Sequence, residues 1–189
     1  MPLIPSRALI YGLTAVAHGG GSVTTCLDTG EHTIHRDTLK KVFSELVKLR
    51  DHVGDETVKY LALHVSQQTR DFAPPYRNDS DRYWRLLRGS HEMLSRSQVL
   101  TDYLFDRHLT GPKLTKFEVL LLSNSVCLSK DEADEIRSFA KDGGTVIATQ
   151  QTSLCDELGQ QRDDFQLADL FGVGYQGESV DAIGFDDSQ

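Results

Sequence analysis

Apolar and polar positions alternate along this chain with two periods, and the periods change places several times. From about Ser6 to His18, Leu9, Ile10, Leu13, Val16 and Ala17 recur at helical spacing. Ser6 suits the N-cap, and Gly19, Gly20 and Gly21 end the run. "SVTTCL" reads as a short strand and "DTGEHTIH" as a loop. Asp37 then caps a helix whose Leu39, Val42, Phe43, Leu46, Val47 and Leu49 form one stripe, ending near Gly54. "TVKYLALHVS" is almost continuously apolar, as a strand buried on both faces would be.

"QQTRDFAPPYRNDS" reads as a polar loop stiffened by Pro74 and Pro75. A long helix follows from about Asp81 to Arg96, with Tyr83, Leu86, Leu87 and Leu94 apolar and Gly89 weakening it. "VLTDYLF" and "FEVLLLS" read as the next strands. Ser129 and Glu132 form a capping box, so a helix starts just after Cys127. Ile136, Phe139 and Ala140 give its inner face, Lys141 complements its last turn, and Gly143 and Gly144 let the chain leave. "TVIAT" is a fourth strand, "DFQLADLFG" a short helix, "VGYQG" a last strand, and "DAIGFDDSQ" a tail.

Strands alternating with helices predict parallel β-α units and a small three-layer α/β domain from Val58 to about Gly177. Ligands in such sheets sit beyond the carboxyl ends of the strands. Those ends are Ser66 and Gln67, Asp102, Ser123 and Asn124, and Thr149 and Gln150. Ser66, Gln67, Asn124 and Thr149 are therefore candidate ligand contacts.

Composition narrows the chemistry. The 189 residues are 39% hydrophobic and 25% charged, which allows a packed core. A net charge of −8 argues against nucleic acid or an anionic membrane as partner. No apolar run is long enough to span a bilayer. The N-terminus lacks the basic stretch and cleavage site of a signal peptide. Cys26, Cys127 and Cys155 are far apart, with no C-x-x-C, so a disulfide framework is not expected and a reducing, cytoplasmic setting fits.

Several motifs carry possible chemistry. Cys127 lies in a strand-to-helix turn, where a helix N-terminus lowers a thiol pKa. It is flanked by Val126 and Leu128 rather than glycine, and no histidine follows it. A small buried residue is the better reading, so no catalytic residue is assigned. His32 and His35, with Glu31 and Asp37 nearby, precede a helix instead of sharing its face, so no metal and no cofactor are assigned. "HGGG" at His18–Gly21 follows a helix, where an oxyanion-hole loop would follow a strand. "KDGGT" stops a helix instead of cradling phosphate. Arg82, Arg85 and Arg88 interleave with Tyr83 and Trp84; a solvated basic edge explains them better than a grip on a sugar.

Taken together, the strand ending in Ser123 and Asn124, the helix start at Leu128–Glu132, "GGTVIAT", Thr152 and Ser153, the span Asp156–Gly159 and "LADLFGV" at Leu167–Val173 resemble the β-galactosidase trimerisation domain. The resemblance covers Val58 to Gly177. It implies a flavodoxin-like, class I glutamine-amidotransferase-like parallel sheet over residues 56–177, usually without a working nucleophile, and a tail over 178–189. Residues 1–55 resemble the last β-α unit of a preceding glycoside-hydrolase-like (β/α)8 (TIM) barrel, so the fold expected is α/β with a barrel remnant at its N-terminus. Asp28, Glu31, His32 and His35 would then lie on the substrate side of that barrel. Glycoside hydrolysis needs two carboxylates across the bond, and the family takes them from earlier strands this chain does not contain.

The resemblance implies a non-catalytic part of a carbohydrate-active protein that assembles into a homo-oligomer, a trimer. The segment Arg70–Arg85, with Arg70, Tyr76 and Trp84, is the best candidate to be lent to a neighbouring sugar site. Two alternatives remain at this point: a free-standing Cys-dependent amidotransferase or hydrolase, and a small-ligand binding module.

Overall fold

The computed structural model describes residues 10, 12–16, 36–49, 52 and 58–177. The chain divides into two compact units, Met1–Val58 and Lys59–Gln189. In the first, residues 10 and 12–16 are helical, and helix α1 spans Arg36–Lys48. On α1, Val42 is buried while Phe43 and Val47, one turn apart, are exposed. The expected strand at 22–27 and the loop after it lie outside the described residues.

The second unit is built on four parallel strands in the order β2-β1-β3-β4. They are β1 (Leu61–Val65), β2 (Thr101–Phe105), β3 (Val119–Leu122) and β4 (Thr145–Ala148). β1 is central and every residue in it is buried, as its unbroken apolar run requires. Leu61, Leu63 and Val65 face helix α3 (Ser80–Arg96) together with Tyr83, Leu87 and Leu94. Ala62, Leu104, Leu120 and Leu122 face helix α5 (Lys130–Lys141) with Ala133, Ile136 and Phe139. Between β2 and β3 the chain makes the short helix α4 (Asp106–Leu109) and a 3₁₀ turn at Leu114–Lys116. Leu109 and Leu114 join the same core as α5, so this crossover shares its face of the sheet. The result is the small α/β domain that the alternation predicts.

Three local readings need correction. The stretch expected to be only a polar loop contains helix α2 (Gln67–Phe72), whose start is fixed by Ser66: its side chain accepts from Thr69 N at 3.0 Å. A cap of this kind stabilises a helix too short for an apolar period to reveal. The long helix starts at Ser80 with Asp79 as its N-cap, so Trp84 and Arg85 are helical and not part of a loop. Residues 173–177 form no strand. "DFQLADLFG" contributes only one turn, α6 (Ala168–Phe171), ended by Gly172 at φ 65°.

Candidate functional site

The strand order reverses between β1 and β3, which places a crevice between their carboxyl ends. The protein's own side chains fill it. His64 is the one polar residue of β1, and a polar group in a strand buried on both faces must find partners. Its Nδ1 lies 2.8 Å from Ser125 Oγ. Its Nε2 lies 3.1 Å from Asp106 Oδ1, off the line that an aligned hydrogen bond requires. The other Asp106 oxygen accepts from Gln67 N at 2.7 Å and Gln68 N at 3.2 Å, at the start of α2. Burial pushes the Asp106 carboxyl up, but the imidazole and these N–H donors outweigh it and hold the pKa below its usual value.

Ser125, His64 and Asp106 therefore bring together the three side-chain types of a hydrolytic triad. Ser125 and His64 are each 1% exposed, so no substrate carbonyl reaches the hydroxyl. Sequence reasoning missed this relay, although a lone histidine inside "LALHV" was its signal.

The sequence candidates that fall among the described residues have definite places. Asp28, Glu31, His32 and His35 lie outside the described residues. Ser66 is buried, caps α2, and donates its N–H to Tyr83 Oη at 2.7 Å. Gln67 is exposed at the α2 start. Arg70 pairs with Asp71 at 2.7 Å, and its guanidinium lies 5.8 Å from the Trp84 ring centroid. Tyr76 is buried and its hydroxyl accepts from the Asn124 amide. Asn124, at φ 50°, turns the chain sharply after β3, and asparagine tolerates this region better than most residues. Its backbone N–H donates to Thr149 Oγ1 at 2.9 Å, and its side-chain Oδ1 accepts from Gln151 N at 3.0 Å. Thr149 is exposed at the end of β4.

Cys127 is fully buried, with its N–H donating to Thr69 Oγ1 at 3.0 Å. It stands beside buried Cys155 in a parallel bridge, and both are free thiols. Contact with the Cys155 sulfur and burial push the Cys127 thiol far up, away from the thiolate a nucleophile needs. Glu132, 4% exposed, accepts from Ser129 N at 2.7 Å and from Gln68 Nε2 at 3.0 Å, so the capping box also ties α5 to α2. Among the described residues, no group of three or more His, Cys, Asp and Glu could hold a metal ion.

The open concavity of this end lies to one side, against edge strand β2. It measures about 400 Å³ and is lined by Val65, Trp84, Leu87, Arg88, His91, Tyr103 and Phe105.

No protein-family profile and no curated protein matches the sequence. Solved structures do match its fold. The β-galactosidase from Bacillus circulans sp. alkalophilus superposes with a TM-score of 0.70 at 17% identity, over 96% of this chain and 30% of that one. A catalytic mutant of Gan42B, a GH42 β-galactosidase from G. stearothermophilus, gives 0.62 at 16%, over 84% and 25%. A GH42 exo-carrageenase from Bacteroides ovatus gives 0.63 at 14%, over 85% and 23%. The fold is that of one segment of these enzymes. The chain spans less than a third of each of them. Among the described residues, no helix is long and apolar enough to cross a membrane.

Proposed function

We propose that the chain is a glycoside-hydrolase-related segment whose own part is structural: it mediates assembly into a homo-oligomer and presents a surface to carbohydrate, without breaking bonds itself. The observation that carries this reading is the inward commitment of the strand-end groups. Cys127, Ser125 and Asn124, the groups that follow β3 where an enzyme on this scaffold would mount a nucleophile, are 0%, 1% and 3% exposed. The fold shared with segments of β-galactosidases and an exo-carrageenase supports carbohydrate as the setting. A trimer is the state we propose, by the resemblance of Val58–Gly177 to a trimerisation domain.

The test joins sedimentation velocity on the 189-residue chain to assays for galactoside and glutamine hydrolysis and to thiol labelling. The expected outcome is a concentration-dependent oligomer, no hydrolysis above background, and labelling of Cys127 and Cys155 only on unfolding. Cys26 is replaced by serine as the control. Turnover abolished by Cys127→Ser, or fast labelling of folded Cys127 at neutral pH, would favour an amidotransferase-like enzyme and overturn the structural reading.

A further inference from the structure

Trp84, Leu87, Arg88 and His91 stand at positions i, i+3, i+4 and i+7 of α3, and so share one helix face. Tyr103 and Phe105 stand two apart on β2, and so share one sheet face. The fold brings these faces together at the carboxyl end of an edge strand, and the groove between them is about 400 Å³. That size suits a small-molecule site: mostly apolar walls with a few polar groups that fix orientation.

The walls keep aromatic surface in water. Trp84 is 37% exposed, and Tyr103 and Phe105 are each 43% exposed. The His91 ring stacks on Tyr103, with centroids 5.6 Å apart and planes at 29°. Arg70 above Trp84 restrains that ring at the rim. One polar group of the groove remains unspent: the exposed Arg88 guanidinium has no hydrogen-bond partner among the described residues.

We infer that this groove binds one pyranose ring of a saccharide. The apolar C–H face of the ring would lie on the aromatic walls, and its hydroxyls would bond to Arg88. The saccharide class rests on the carbohydrate setting proposed above; the site rests on the groove itself. The site involves no bond-breaking.

The sequence contains one tryptophan, so its emission reports on this groove alone. The full 189-residue chain is titrated with methyl β-D-galactopyranoside while Trp84 emission is followed, with benzoate as an aromatic competitor. The expected result is a saturable change in the millimolar range. Arg88→Ala should weaken it about fivefold or more, the size of one lost hydrogen bond. Tyr103→Ala should abolish it, and Arg82→Ala, on the same helix outside the groove, should leave it unchanged. Arg88 is exposed, so its variant keeps the fold. No emission change up to the solubility of the sugar, or a change with benzoate alone, overturns the inference. If the chain still assembles in that case, only the site has failed and the assembly reading stands. A chain that neither binds sugar nor assembles overturns both.

Discussion

Tyr83 and Asp106 show how single residues hold the crevice shut. Tyr83 is 1% exposed, and its hydroxyl is the partner of the buried Ser66 N–H. Burial pushes its phenol pKa up, so it stays neutral throughout the ordinary range. Tyr83→Phe keeps the ring but strands that N–H, and should cost about 1–3 kcal/mol in urea unfolding. A loss no larger than that of a surface substitution would mean water replaces the hydroxyl. Asp106 carries a pH signature. Its folded pKa lies below the ordinary 3.8. Its contribution is therefore complete above that value and is lost as pH falls through the lower folded one. Asp106→Asn should lower stability at neutral pH by about 1–3 kcal/mol. It should also flatten the acid limb of the stability curve below pH 3.8, and an unchanged limb would place the acid sensitivity elsewhere.

At the level of elements, the join between α2 and α5 passes through one carboxylate. Ser129→Ala removes only the N-cap and should cost about 1 kcal/mol. Glu132→Ala removes the other half of the box and the bond to Gln68, so it should cost more; equal losses would show that the Gln68 contact contributes nothing. This capping box was legible in the sequence because its spacing is fixed and local. So were β1, β3, α3 and α5, whose apolar periods are long and strong. Helix α2 was not, because it is too short to show an apolar period and its anchor, the Cys127 N–H on Thr69 Oγ1, joins residues 58 apart in sequence. The same limit hid the partners of His64. The residue itself stood out, but Ser125 and Asp106 reach it only through the sheet order. Of the groove, only Trp84 stood among the sequence candidates; Arg88 reads there as part of a solvated basic edge, and the facing strand, Tyr103 and Phe105, needed the fold to bring it near.

For the whole molecule, the question is what the exposed apolar surface does in solution. Helix α1 was read as one stripe, yet Phe43 is 45% exposed and Val47 70% exposed. They lie four residues apart, on one face, and together offer an apolar contact on the helix. Burying two side chains of this size contributes about 1.5–3 kcal/mol each. That is enough to drive association once several copies add their faces. The double variant Phe43→Glu with Val47→Lys keeps helix-compatible residues and replaces the apolar pair by an i,i+4 ion pair. It should shift the oligomer toward monomer in sedimentation velocity. An oligomer that persists in this variant would point to the Lys59–Gln189 unit, whose sheet ends, among the described residues, in β2 on one side and β4 on the other. A lysine at Tyr103, on the β2 edge, would then be the next substitution to dissociate it.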